Sequence, residues 1–197
     1  MKILGLTGSI GMGKSTAARM LRRMGVPVHD ADATVHALMA QGGAAVAMVE
    51  AAFPGVVKEG AVDRAELGRR VFGRPDQLRR LEAILHPLVR QAERAFLERH
   101  RRRRTRLVVL DIPLLFETGG ERRCDKVAVV TAPAFLQAQR VLKRPGMTPA
   151  RLAAIRSQQM ADGEKRRRAD FVIPTGLGMR PALRRLRAVV TLMRNSD

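Results

Sequence analysis

Eight residues near the start of the chain, Gly8-Ser9-Ile10-Gly11-Met12-Gly13-Lys14-Ser15, combine three glycines, a lysine and a hydroxyl in the spacing Gly-x4-Gly-Lys-Ser. Residues of these types at this spacing can bind phosphate. Glycines let successive backbone N–H groups turn inward around phosphate oxygens, and a following helix adds the positive end of its dipole. Lys14 supplies a mobile cation for β- and γ-phosphates, and Ser15 a hydroxyl for Mg²⁺. The candidate cradle runs Gly11, Met12, Gly13, Lys14, Ser15, Thr16. Only six lysines occur in the chain, and one falls at this position.

Other residues can share in the same chemistry. Asp30-Ala31-Asp32 puts two carboxylates just past a second predicted strand. Asp32 can take a proton from an alcohol attacking a γ-phosphate, or hold a water on Mg²⁺. Alternatively, Asp30 or Asp32 merely caps the helix that follows. Asp111 sits after a third strand, at a place suited to a metal-associated acid. Glu117 is either a second such acid or a solvated charge. Between them, Pro113-Leu114-Leu115-Phe116 either packs in the core or walls a substrate pocket. Arg140 and Arg144 stand four apart on one predicted helix face, ahead of Pro145-Gly146. They can close over transferring phosphates, or belong to an ordinary basic face. His86, before Pro87, reads as a capping or core residue. No Cys/His cluster has metal-ligand spacing, which argues against structural zinc. No Asn-Lys-x-Asp segment is present, which argues against guanine as the base.

Positioning these groups requires a βα alternation that is interrupted once. The expected strands are Lys2–Leu6, Val26–His29, Leu107–Leu110, Lys126–Val130 and Asp170–Ile173. Two of them are continuous aliphatic runs, as in strands covered on both faces. Gly25 ends the helix that follows the glycine-rich loop. From Ala33 to about His100 apolar residues recur at helical spacing with no convincing strand. Thr148 as N-cap and Pro149 at the first position open a helix to about Ala161. Pro181–Met193 reads as a final helix. The pattern implies an α/β fold, a parallel sheet with helices on both faces, whose ligands sit beyond the carboxyl ends of the strands.

The composition sets outer limits. The chain has 197 residues, 46% of them hydrophobic, with a net charge of +19, one cysteine and neither Trp nor Tyr. That length suffices for one α/β domain with an insertion. No apolar run is long enough to span a membrane. The single Cys124 cannot form an internal disulfide, which points to a reducing cytoplasm. The arginine runs 99–104 and 166–168 lack interleaved aromatics, so they read as solvated faces rather than as a nucleic-acid platform.

Together these residues resemble the dephospho-coenzyme A kinases over nearly the whole chain. The elements appear in order: Leu6 to Thr16, Asp30-Ala31-Asp32, Leu85-His86-Pro87-Leu88, Asp111 to Glu117, Gln139-Arg140 with Arg144, Gln159-Met160, and Ala169 to Ile173. The resemblance implies a P-loop kinase-type core over 1–32 and 101–197, with a lid at about 140–165. It implies a helical coenzyme-binding insertion over 33–100. The implied reaction moves the γ-phosphate of ATP, with Mg²⁺, to the ribose 3′-hydroxyl of dephospho-CoA, the last step of CoA biosynthesis. Asp32 would be the base, and Lys14, Arg140 and Arg144 the cations on the phosphates. Thr175 and Gly176 would lie by the ATP. His86, Pro113, Leu114, Leu115 and Glu117 would join Asp32 at the acceptor. Here Pro174-Thr175-Gly176 stands where the family often has Asn-x-Gly, so a side-chain amide does not read the adenine. The implied partners are ATP and dephospho-CoA, without nucleic acid or membrane; the oligomeric state stays open. Two rivals remain: a kinase of the same fold acting on a nucleoside or a sugar acid, and a basic nucleic-acid-binding ATPase that rests on charge alone.

Overall fold

The computed structural model describes residues 1–195. In chain order the elements are β1 (Lys2–Thr7), α1 (Lys14–Arg23), β2 (Val28–Asp30), α2 (Ala31–Met39), α3 (Val46–Ala52), β3 (Val57–Lys58), β4 (Ala61–Val62), α4 (Arg64–Val71) and α5 (Pro75–Arg102). There follow β5 (Leu107–Asp111), a 3₁₀ turn (Gly120–Arg123), β6 (Lys126–Thr131), α6 (Ala134–Leu142), α7 (Pro149–Ser157), α8 (Asp162–Arg168), β7 (Phe171–Pro174) and α9 (Met179–Asn195). Two compact units result: Met1–Asp30 with the chain from His100 onward, and Ala31–Arg99.

The first unit is built on a five-stranded sheet in the order β2-β5-β1-β6-β7, with every pairing parallel. Leu107 to Leu110 and Val127 to Val130 are all buried, because helices cover both faces. On one side Leu4, Leu6, Leu21, Ile173, Leu186 and Val189 join in one cluster. On the other, Leu115, Phe116, Val127 and Val129 make a smaller one. The register sets Asp30 beside Asp111, and Leu6 beside Asp111 on the next strand. The carboxyl ends of β1, β2 and β5 therefore meet at one edge. Gly25 ends α1 as expected: its φ is 71°, and the Val26 N–H closes back onto the Leu21 carbonyl at 3.1 Å.

The second unit has its own core, in which Met39, Val49, Phe53, Val56, Leu67, Leu81 and Leu85 pack together. It is mostly helical, but it contains the β3–β4 hairpin that the periodicity missed. Two-residue strands are too short to show alternation. Their turn is legible only through Glu59 and Gly60, both at positive φ (50° and 77°).

Several boundaries shift from expectation. β2 starts at Val28 rather than Val26 and reaches Asp30, and β7 runs Phe171–Pro174. The helix expected to reach Ala161 stops at Ser157, and a separate helix, α8, carries Arg166 to Arg168. At the break the Met160 N–H leaves the helix pattern and donates to Glu117 Oε1 at 2.8 Å, while the Gln159 side chain accepts the Ile10 N–H. α6 ends at Leu142, so Arg144 lies past the helix and does not share a helical face with Arg140. Pro145 follows, and the residue before a proline is disfavoured in the α region.

Candidate active site

The glycine-rich loop leaves the end of β1 and enters α1 with its amides gathered at the helix N-terminus. Gly11 (φ 75°) and Gly13 (φ 94°) take left-handed backbone. Each is also crowded. A Cβ on Gly11 would lie 2.5 Å from Val141 Cγ2, and one on Gly13 3.1–3.2 Å from the Thr175 side chain. Both conditions require glycine. The Met12 N–H donates to the Ser9 carbonyl and the Thr16 N–H to the Gly13 carbonyl, each at 3.1 Å. The amides of Gly11, Gly13, Lys14 and Ser15 have no protein acceptor among the described residues. A row of donors at a helix start is an anion site.

Lys14 Nζ lies 2.7 Å from Asp111 Oδ1; the lysine side chain is 13% exposed and the aspartate 2%. Asp111 thus holds the loop's cation in place. The loop is braced from three further sides. Met12 Sδ accepts from the Ala132 N–H at 3.1 Å. Ile10 is gripped at both ends of its backbone: its N–H donates to Gln159 Oε1 at 3.1 Å, and Gln137 Nε2 donates to its carbonyl at 2.8 Å. Arg156 in turn donates to Gln137 Oε1 from Nε (3.0 Å) and Nη2 (2.6 Å). A cavity of about 370 Å³ lies beside this network, lined by Ser9, Met12, Gln137, Arg156, Gln159 and Asp162 among others. The sequence offered no sign of the roles of Gln137 and Arg156; each is an ordinary polar residue within a helix.

Arg140 is brought to the loop. Its Nη1 reaches the Gly11 carbonyl at 3.4 Å and Thr175 Oγ1 at 3.2 Å, and its Nη2 the Thr175 carbonyl at 2.9 Å. Arg144 is not: its side chain is exposed beyond α6. Gly176 follows Thr175 with no room for a side chain, since a Cβ there would meet Pro133 Cδ at 2.6 Å.

The Pro113–Glu117 segment divides between two tasks. Leu115 and Phe116 are core, Leu115 with no exposed surface at all, which corrects its place in a ligand-facing wall. The β5-end loop turns back over the sheet, and its second leucine fills the space above Gly5 and Gly120. Leu114 is exposed, and the Pro113 carbonyl accepts from the Thr7 hydroxyl at 2.9 Å. Glu117 is neither a metal acid nor a solvated charge. Its Oε1 takes the Met160 N–H and the Lys165 ammonium, each at 2.8 Å. Burial pushes the Glu117 carboxyl up, but Lys165 and the Met160 amide outweigh it and hold the group below the usual carboxylate range. Lys165 is wholly buried. It lies inside a run of charges, where nothing in the sequence marks it as interior. Arg168, expected on a solvated face, stacks over Phe116 at 4.7 Å and donates to Glu121 at 2.6 Å.

In the second unit, Asp32 is the second residue of α2 and is exposed. It is in the first turn, not at the cap, where its charge suits the helix dipole. His86 is exposed in the middle of α5, so it is neither cap nor core. Pro87 follows inside the helix, which loses the N–H that would bond the Ala83 carbonyl.

No group of three or more His, Cys, Asp or Glu that could hold a metal occurs among the described residues. Mg²⁺ that arrives on nucleotide phosphates asks less, because it keeps several waters and takes one or two protein oxygens. The Ser15 hydroxyl, exposed at the start of α1, is an oxygen of that kind.

A family model described as dephospho-CoA kinase matches residues 2–178. The chain belongs to the dephospho-CoA kinase family. It is 76% identical to a dephospho-CoA kinase of Paramagnetospirillum magneticum, covering 100% of this chain and 92% of that one. It is 67% identical to one of Rhodospirillum rubrum, covering 98% and 92%. A crystal structure from Thermus thermophilus superposes with a TM-score of 0.82 at 40% identity, over 97% of both chains. Dephospho-CoA kinase from Campylobacter jejuni (TM-score 0.68, 22% identity, 99% and 98% covered) shares the fold. So does a shikimate kinase from Acinetobacter baumannii (TM-score 0.53, 18% identity, 98% and 93% covered). The α/β fold of this family member is thus that of the P-loop kinases. No helix among its described residues is long and apolar enough to cross a membrane.

Proposed function

We propose that this chain carries out the reaction for which its family is named, ATP-dependent phosphorylation of the ribose 3′-hydroxyl of dephospho-CoA to give CoA. The observation that carries the donor half is the loop itself: four inward amides with no protein acceptor, and a lysine held at their side by Asp111. The acceptor rests on family membership.

The residues divide the work. Gly11 to Thr16 cradle the ATP phosphates, and Lys14 leaves Asp111 to follow charge onto the transferred group. Ser15 would hold the Mg²⁺ that comes with ATP, and the ion would supply charge neutralisation on the phosphates. Arg140 meets the phosphates from α6. Arg144, on the exposed stretch before α7, closes with the lid at about 140–165 and helps exclude water. Thr175 and Gly176 border the nucleotide. Asp32, just ahead of the 33–100 insertion, accepts the 3′-hydroxyl proton. His86, Pro113 and Leu114 face the acceptor, while Leu115 and Glu117 support that wall from behind. The core is 1–32 with 101–197. One cysteine and dependence on ATP suit a cytoplasmic enzyme.

Purified protein should convert dephospho-CoA and ATP to CoA, and Lys14→Ala should do so roughly 10²–10³-fold more slowly. Transfer to shikimate, gluconate or a nucleoside in preference to dephospho-CoA would overturn the acceptor. ATP hydrolysis stimulated by nucleic acid, without transfer, would overturn the reaction.

A further inference from the structure

Thr175 is the first residue past β7, and each of its polar atoms is already engaged. Its N–H donates to the Thr131 carbonyl at 2.8 Å, and its carbonyl accepts Arg140 Nη2 at 2.9 Å. The hydroxyl has one proton to give. The Met12 carbonyl at 2.7 Å is the nearer acceptor, and the Thr131 carbonyl at 3.2 Å the farther. On its other side the same oxygen accepts Arg140 Nη1 at 3.2 Å. The side chain is also wedged against the loop, since a Cβ on Gly13 would come within 3.1–3.2 Å of Oγ1, Cβ and Cγ2 alike.

Three segments therefore converge on one small side chain: the loop at Met12 and Gly13, the end of β6 at Thr131, and α6 at Arg140. Arg140 presents two nitrogens of its planar fork to the hydroxyl and carbonyl of a single residue. That two-point grip fixes the plane of a guanidinium as well as its position. A hydroxyl that gives its proton to Met12 has none left to offer a nucleobase.

We propose that Thr175 is a positioning residue: its hydroxyl sets the pose of Arg140 and the seat of the Met12–Gly13 backbone, and it does not select the base. The proposal rests on the reading of Arg140 as a cation for the ATP phosphates. Its signature is coupling. Thr175 matters through Arg140, so its loss costs little once Arg140 is gone.

The test is a double-mutant cycle of Thr175→Val and Arg140→Ala, with Thr175→Ser as the conservative control. Thr175→Val should lower kcat for CoA formation about tenfold, the scale of one hydrogen bond to a charged group. In the Arg140→Ala background the same change should cost less than about twofold. Thr175→Ser, which keeps the hydroxyl, should stay within about threefold of the parent. The ratio of kcat/KM for ATP over GTP should not move with Thr175→Val. Full additivity of the two changes, a Ser variant as impaired as Val, or a lost preference for ATP over GTP would each overturn the inference. The cycle is repeated in the Kd for Mg-ATP by calorimetry, which does not use turnover. Coupling there with a parent that makes no CoA would sink the proposed reaction and keep the inference. Additive Kd values with an active parent would do the reverse.

Discussion

Two lysine–carboxylate pairs follow from the end of β5, and they are opposite in build. In the phosphate loop, Lys14 meets Asp111 at 2.7 Å, and the acid is the more deeply buried partner (2% exposed against 13%). Six residues after Asp111, Glu117 meets Lys165 at 2.8 Å, and here the lysine is the deeper one (0% against 17%). The first pair leaves its cation beside a row of amides that have no protein acceptor among the described residues. The second encloses its cation, and no alternative anion reaches it. One bridge leaves its cation partly open to solvent and the other encloses it. Distance alone does not separate them; the side that is buried does. A charge stripped of its one interior partner is strongly destabilising, whereas a charge that can move to a substrate is a tool.

Five outcomes test that contrast. Asp32 extends it with a third carboxylate, exposed in the first turn of α2 and proposed above as the base; Asp32→Asn should lower kcat roughly 10²–10⁴-fold with ATP binding retained. Near-normal turnover removes Asp32 as the base. Lys14→Ala should lower kcat by roughly 10²–10³-fold, the scale for one transition-state donor, and should also cost stability, because the buried Asp111 carboxylate loses this cation. A fall in melting temperature with kcat of the folded fraction unchanged would erase the distinction between the pairs. Lys165→Met should lose about 3–5 kcal/mol of stability, because Glu117 is left behind without its cation. Its folded fraction should turn over within about threefold of the parent. A selective loss of kcat with unchanged stability would make the enclosed pair catalytic after all.

The pH dependence has a definite sign. Glu117 is held below its ordinary value of 4.5 in the folded protein. The unfolded chain therefore binds its proton first as pH falls, and stability drops with acid. The contribution is complete above pH 4.5 and is lost as pH falls through the lowered folded value. Glu117→Gln should flatten that part of the acid limb in urea titrations between pH 2.5 and 6. An unchanged slope would place the carboxylate in solvent. The smallest effect belongs to the brace on the loop. Gln159→Leu removes the acceptor from the Ile10 N–H at 3.1 Å. It should raise KM for ATP by a few fold, in line with about 1 kcal/mol for one neutral hydrogen bond. No change would show that the Gln137 bond holds Ile10 alone.

Much of the fold was readable without coordinates, because its signals are local. The aliphatic runs of β5 and β6, the Gly25 stop, and Thr148-Pro149 at the head of α7 each state their role within a few residues. Thr148 Oγ1 does accept the Arg151 N–H at 3.2 Å. The errors fall where distant partners compete with local pattern. The helix expected to continue past Ser157 gives way where Glu117 takes the Met160 N–H. Arg144 falls off the helix that spacing gave it, because α6 ends before the proline. The β3–β4 hairpin is too short to have a period.

The amino-acid sequence by itself determined the donor chemistry. Glycine at positive φ, a lysine and a hydroxyl at fixed spacing are demands of one backbone turn, met within eight residues. Its ordered motifs also determined the family. Only the tertiary structure decided which charges work and which hold the fold. Lys14 and Lys165 are the same residue type, and each is paired with a carboxylate at nearly the same distance. What separates them is burial, and burial is set by which elements pack around each lysine, a property no spacing along the chain encodes.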